Sequence, residues 1–177
     1  SRVTLPLEKF GAKFYYKIKN KLPLTILGSQ STKGIKYLED KGSAQCKSSV
    51  MLAALNASGT TFIKAKKSRD HSELLFKYLK IPIKIKKTKR YDFINIKQPK
   101  KIKAFDYQIP GDISSSAFFM VLTTLANDSK LLIRNININP SRIGVIIILK
   151  KMGAKILLKK QRDYRGEKIA DILIKSS

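Results

Sequence analysis

The sequence predicts an α/β protein of the α+β type, built from repeated βαβαββ units with buried helices and solvent-facing sheets. Three observations carry this expectation. Helical and strand periodicities succeed one another twice in the same order, at about 70 residues per cycle, within the range where internal repeats define an architecture. The stretches 117–125 and 143–149 are apolar nearly all round, so helices there need cover on most sides. The strand-like stretches instead alternate, with Ile83 and Ile85 against Lys84 and Lys86, and Ile172 and Ile174 against Asp171 and Lys175. One face of each sheet is therefore expected to meet water.

The elements follow in order. Residues 1–27 read as a helix and two strands, the tail of a preceding unit. In the first whole unit 34–39 is a strand, followed by a helix over 43–56 headed by Ser43. Residues 60–65 return as a strand, 69–79 form a second helix, and 83–87 with 91–96 close the unit as a pair. The second unit repeats this with strand 104–109, helix 113–126 capped by Asp112, strand 130–135 and helix 141–152. Asn139-Pro140 reads as N-cap and first helical residue of that last helix, and 155–159 with 170–175 form the closing pair.

At 177 residues and 43% hydrophobic content the chain has material for one ordinary domain or two small ones. A net charge of +25 invites a nucleic-acid reading. However, only seven of the 37 basic residues are arginine, the rigid two-toothed donor that base-edge readout favours. The lysines are spread along the chain, and the densest stretch, 81–103, alternates with apolar residues as a solvated strand face would. A lysine-coated surface is thus preferred over a basic nucleic-acid-binding module. Cys46 is the only cysteine, which excludes an internal disulfide and a zinc cluster. No apolar run approaches the ~20 residues needed to span a bilayer. The chain opens without a methionine inside a continuing helical pattern and stops directly after a strand, so it reads as an internal piece of a longer protein.

Two turns stand out chemically. Gly42-Ser43-Ala44-Gln45-Cys46-Lys47-Ser48-Ser49-Val50 and Lys67-Ser68-Arg69-Asp70-His71-Ser72-Glu73 each place a small hydroxylated residue at a helix start, directly after a strand. Free N–H groups and the positive end of the helix dipole converge at such a turn, which makes it an anion site. Serine adds a hydroxyl donor without competing charge, and Arg69 adds a cation suited to phosphate. Ser43 and Ser68 are equally readable as ordinary caps, and Arg69 as a surface cation. In the second unit Asp112 holds the place of Ser43, and its carboxylate would fill the anion position itself. Asp70 and Glu73 fit a structural role in the first helical turn. His71 reads as a surface histidine of that turn, Cys46 as a packing residue and Asn139 as structural, with Arg142 left open. Asp106 and Asp171 lie near strand ends, and nothing pairs them for acid–base work.

The same segments resemble the 5-enolpyruvylshikimate-3-phosphate synthase family. Gly42-Ser43-Ala44-Gln45 with Lys47-Ser48, and Ser68-Arg69-Asp70-His71-Ser72-Glu73, are similar to its substrate segments. Ile109-Pro110-Gly111-Asp112-Ile113-Ser114-Ser115-Ser116-Ala117, Asn139-Pro140-Ser141-Arg142-Ile143-Gly144 and the opening Arg2-Val3-Thr4-Leu5-Pro6-Leu7 match further blocks in the family's order. The Arg-Asp-His and Asn-Pro-Ser-Arg versions are similar to its class II branch.

The resemblance implies the enolpyruvyl transferase fold, with such units grouped by threes into two domains. It implies that residues 1–108 belong to one domain (a tail plus the whole unit 34–97), that 109–177 are one unit of the second, and that a hinge lies near 107–111. Ile109-Pro110-Gly111 suits a hinge because it joins a fixed φ to a permissive one. The implied reaction moves the enolpyruvyl group of phosphoenolpyruvate onto the 5-hydroxyl of shikimate 3-phosphate and releases phosphate, in a cytoplasmic, monomeric enzyme without metal or organic cofactor. Carried residue by residue, Ser43, Ala44, Gln45, Ser68 and Arg69 would hold shikimate 3-phosphate, and Gln45 would also reach phosphoenolpyruvate. Many relatives have a second serine where this chain has Ala44. The family's acid–base residues lie in motifs outside these 177 residues, so the chain by itself is expected to be inactive. The sister enzyme acting on UDP-N-acetylglucosamine is the rival within the fold, and the Ser-Arg-Asp-His-Ser-Glu block argues against it.

Overall fold

The computed structural model describes residues 2–18 and 21–177, which divide into two compact units, 1–103 and 104–177. The first unit opens with a short helix α1 (Thr4–Glu8) and the antiparallel pair β1 (Lys13–Tyr16) and β2 (Leu24–Leu27). Then come β3 (Lys36–Glu39), α2 (Ala44–Ala54), β4 (Thr60–Lys66), α3 (His71–Tyr78), β5 (Ile83–Lys87) and β6 (Tyr91–Lys97). The expected βαβαββ order is present, with bounds shifted by up to two residues.

These strands form one sheet in the order β3-β4-β6-β5. Only β3 and β4 run parallel, in register from Lys36 opposite Phe62 to Glu39 opposite Ala65. Alternation decides which face is dry. Thr61, Ile63 and Ala65 of β4 and Asp92, Ile94 and Ile96 of β6 are buried, whereas Phe62, Lys64, Phe93 and Asn95 face solvent. Against the dry face lies α2, burying Cys46, Lys47, Val50, Met51 and Ala54, a stripe at helical spacing. Phe76 of α3 joins Val50, Met51, Ile63, Ile94 and Ile96 in one core. Each fully buried aliphatic side chain there contributes about 1.5–3 kcal/mol relative to exposure. Cys46 is a packed thiol, as the sequence suggests.

Two glycines set how the strands enter. A Cβ on Gly34 would lie 2.3 Å from the Thr60 carbonyl oxygen, so the chain before β3 touches β4 backbone to backbone. Gly42 adopts φ +69°, which the turn between β3 and α2 requires.

The second unit contains α4 (Ile113–Leu125), β7 (Lys130–Asn137), α5 (Gly144–Lys151), β8 (Lys155–Tyr164) and β9 (Glu167–Lys175). Its sheet has the order β7-β9-β8 and is antiparallel throughout. The strand expected over 104–109 is absent. What remains of it is one parallel bridge between Gly111 and Ile136, with Gly111 N–H donating to Asn135 O (2.9 Å) and Asn137 N–H to Gly111 O (3.0 Å). Pro110 has no N–H to donate, and residues 104–106, 108 and 109 are exposed, so neither bonding nor burial extends the pairing.

Other boundaries also differ. The helix expected from 141 starts at Gly144, because Asn139 caps a preceding turn instead: its Oδ1 accepts from Ser141 N–H (2.8 Å) and Ser141 Oγ (2.7 Å), and Arg142 N–H donates to Asn139 O. β8 and β9 are longer than expected and joined by Arg165-Gly166, both at positive φ, a two-residue hairpin turn that matches strand twist. Asp171, expected in water, is buried and accepts a hydrogen bond from Asn135 N–H at 2.9 Å. Asn135 and Lys160 adopt positive φ beside it, at the two register shifts flanking β9. Helix α4 is apolar nearly all round, yet within its unit Ile113, Ser116, Met120 and Thr123 are covered while Phe118, Phe119, Leu122 and Leu125 are exposed. One three-stranded sheet and one neighbouring helix cover a single side of it.

Candidate functional site

Because β3 and β4 are parallel neighbours, the turns that follow them lie side by side. A Cβ on Gly42 of the first turn would come 3.5 Å from the Lys67 carbonyl oxygen of the second. Two helix starts thus emerge together from one end of the sheet, and this is where the five candidate residues fall.

At the first start Ser43 is the N-cap of α2, in extended conformation, with its Oγ accepting from Cys46 N–H at 3.2 Å. Capping and ligand binding are compatible here. The cap uses a lone pair of the hydroxyl, while its O–H remains a donor for an external anion. Ala44 and Gln45 follow as the first helical residues, whose N–H groups have no intrahelical acceptor. Ala44 is half-buried and the Gln45 side chain is exposed.

At the second start the N-cap of α3 is Asp70 and not Ser68, which stands two residues earlier, half-buried and with no hydrogen-bond partner for its Oγ among the described residues. Arg69 is exposed, so its guanidinium is free to move toward a ligand. Asp70 ion-pairs with Lys87 at 2.8 Å, and this hydrogen bond raises the lysine's pKa from its ordinary value. His71 is half-buried at the first position of α3. Among the described residues no group of acidic, histidine and cysteine side chains could hold a metal ion.

Beneath the turns, α2 and α3 are fastened together. Lys47, fully buried, pairs with buried Glu73 at 2.5 Å and donates to the Arg69 carbonyl oxygen at 2.9 Å. Ser48 and Ser72 share a hydrogen bond of 2.6 Å. Glu73 is structural, as its position suggests, but its partner was not legible. Lysine in a helix reads as solvated, and nothing local in Lys47-Ser48-Ser49 signals that the residue is buried.

In the second unit, Asp112 fills its own helix start. Its carboxylate accepts from Ser114 N–H (3.0 Å), Ser115 Oγ (3.3 Å) and Arg142 Nη2 (3.0 Å). The Ser114 N–H foremost, aided by the Arg142 charge, lowers its pKa from the ordinary 3.8.

Two neighbouring turns thus bring hydroxyl, amide and guanidinium donors to one end of the sheet, and the fold that carries them is that of enolpyruvyl transferases. The enolpyruvyl transferase NikO from Streptomyces tendae superposes with a TM-score of 0.68 at 12% identity, over 99% of this chain and 42% of that one. The model of the family "EPSP synthase (3-phosphoshikimate 1-carboxyvinyltransferase)" matches residues 1–175, and the chain belongs to that family. An EPSP synthase structure from Acinetobacter baumannii superposes with a TM-score of 0.82 at 36% identity, covering 99% of this chain and 39% of that chain. The 3-phosphoshikimate 1-carboxyvinyltransferases of Endomicrobium trichonymphae and Bacillus subtilis are 42% and 38% identical to it. This chain is covered to 99% in both alignments and spans about 40% of the length of each relative.

Proposed function

We propose that the protein carrying this chain transfers the enolpyruvyl group of phosphoenolpyruvate to the 5-hydroxyl of shikimate 3-phosphate, releasing phosphate, as a cytoplasmic, monomeric enzyme of aromatic amino-acid biosynthesis. The chain's part in that reaction is to hold shikimate 3-phosphate. Ser43, the Ala44 backbone, Ser68 and Arg69 grip its phosphate, and Gln45 lies against the ring and reaches phosphoenolpyruvate. Residues 109–177 belong to the second domain, with a hinge near 107–111.

The observation that supports this best is the side-by-side placement of two helix starts whose hydroxyls sit in the family's substrate segments. The first turn supplies uncharged donors and the dipole of α2, and the second supplies the unpartnered Ser68 hydroxyl and the exposed Arg69 guanidinium. Together they favour a dianion held by one edge of a small molecule. Having Ala44 in place of a second serine leaves one backbone amide where many relatives have a hydroxyl.

Calorimetry on the full-length protein tests the assignment. Arg69→Ala should weaken shikimate 3-phosphate by about 1.5–3 kcal/mol, the worth of a hydrogen bond to a charged group, and leave shikimate nearly unchanged. Equal losses for both ligands would place Arg69 away from the phosphate.

A further inference from the structure

Resting on that reading of the site, we infer that the buried Lys47–Glu73 pair is a positioning strut that sets the Ser68–Arg69 turn for the substrate phosphate. Lys47 belongs to α2, yet its ammonium reaches across to α3, where it meets Glu73 Oε1 at 2.5 Å and the Arg69 carbonyl oxygen at 2.9 Å. The two side chains are 0% and 3% exposed. One cation therefore fastens the backbone of the proposed phosphate-gripping arginine to the helix whose N-terminus carries Ser43. The Ser48–Ser72 hydrogen bond, between the residue after Lys47 on α2 and the residue before Glu73 on α3, joins the same two helices.

Stability alone is a poor reason for this arrangement. A buried ion pair loses much of its Coulombic gain to desolvation, and well-packed apolar residues of the same volume commonly serve as well. What an apolar pair cannot do is donate to the Arg69 carbonyl. The turn would then keep its packing and lose its register, and a phosphate held by several donors at once is sensitive to such a shift. Lys47 touches neither substrate nor the reacting atoms in this account. It acts through Arg69 and Ser68.

The test uses the double variant Lys47→Met/Glu73→Leu in the full-length protein, which removes the pair without leaving an unpaired buried charge. Thermal unfolding should be unchanged or improved. Shikimate 3-phosphate affinity should fall at least 10-fold by calorimetry, with shikimate within 2-fold of the parent. A stable double variant that keeps its shikimate 3-phosphate affinity overturns the inference. Should the Met/Leu pair not fold, Lys47→Arg carries the test. It retains the charge pair but displaces the donor, so a selective loss of at least 3-fold supports the strut and unchanged affinity overturns it. Arg69→Ala, measured alongside, separates the two levels. If Arg69→Ala also leaves the ratio of the two ligands unchanged, the phosphate reading falls and takes the strut with it. If Arg69→Ala changes the ratio and the strut variant does not, only the strut falls.

Discussion

Arg142 donates to the carboxylate of Asp112 at 3.0 Å, across the start of α4, and so completes in the second unit the arrangement that the first unit leaves open. Asp112 caps α4 as Ser43 caps α2, and Arg142 stands two residues before α5 as Arg69 stands two before α3. The anion in the second unit is the protein's own. In the first unit the cap of α2 is a serine, and the neighbouring Asp70 carboxylate pairs with Lys87. The two units thus differ in residue type at the cap, serine in one and aspartate in the other.

The Asp112 cluster gives a pH prediction. Its carboxyl titrates below the usual aspartate value because Ser114 N–H and Arg142 favour the charged form. A depressed folded value means that the stabilisation is fully present above the unfolded aspartate value and is lost as pH falls through the folded one. Asp112→Asn retains a good cap but loses the ion pair, so at neutral pH it should cost about 0.2–1 kcal/mol, the range for exposed pairs. The difference between variant and parent, followed by urea unfolding, should shrink as pH drops below 3.8. A difference that stays constant down to strong acid would show that the charge on Asp112 contributes nothing.

Exchanging the caps gives a second prediction. Ser43→Asp places in the first unit the carboxylate that the second unit already has. Since Asp and Ser are comparable caps, the stability of α2 should change by no more than about 0.5 kcal/mol. Shikimate 3-phosphate affinity should drop about 10–100-fold, the equivalent of one lost ionic hydrogen bond, because the new carboxylate competes for the same donors. Calorimetry with shikimate as the second ligand checks this. Undiminished phosphate binding would mean that the ligand does not approach the Ser43 end of the site.

Much of this arrangement was legible before any fold was in hand, for identifiable reasons. Ser43 and Asp112 announce helix starts because short polar side chains cap free N–H groups, and the alternation in β4 to β6 follows from burial on one face only. The site's framework was less legible. Lys47 gives no local sign of burial, since its partner Glu73 is distant in sequence and the contact exists only because parallel β3 and β4 bring their turns together. Asn135 and Lys160 bulge at positive φ without a glycine to mark them, and the strand expected over 104–109 has the right residues but no ladder partner, the single bridge lying beyond it at Gly111. Local pattern reports what a segment can become, and the partners across the fold decide whether it does.

A third prediction concerns the backbone contact that seats β3 beside β4. Gly34 N–H donates to Ser58 O at 2.8 Å, and a Cβ at Gly34 would lie 2.3 Å from Thr60 O and 2.5 Å from Thr60 C. Neither backbone can yield without breaking the pairing that follows. Gly34→Ala should therefore destabilise by about 1–3 kcal/mol, the usual cost of overpacking. Gly28→Ala, with nothing within 4 Å of its Cβ, is the control and should be close to neutral. Urea midpoints compare the two, and equal midpoints would refute the claimed contact.

The last prediction addresses the charge of +25 where it is most suggestive. The outer face of the β4-β6-β5 sheet carries Phe62 and Phe93, 44% and 39% exposed, among Lys64, Lys84 and Lys86, a composition that single-stranded nucleic acid binders use. Stacking needs open ring faces, and here they are partly taken. Lys64 Nζ lies 4.7 Å from the centroid of Tyr91 and 5.9 Å from that of Phe93, and the Arg90 guanidinium lies 5.5 Å from Tyr91. A cation lying over these rings leaves less of their faces for a base, and displacing it would forfeit a contact worth about 0.5–1 kcal/mol at an exposed site. What remains is the non-specific attraction of phosphate backbone to lysine, which weakens steeply with salt. Fluorescence titration with single-stranded and duplex oligonucleotides should therefore show weak binding at low ionic strength that vanishes near physiological salt, with no sequence preference. Replacing Phe93 by Ala should leave that binding unchanged. Salt-resistant affinity that falls on Phe93→Ala would make the sheet face a nucleic-acid platform and refute the prediction.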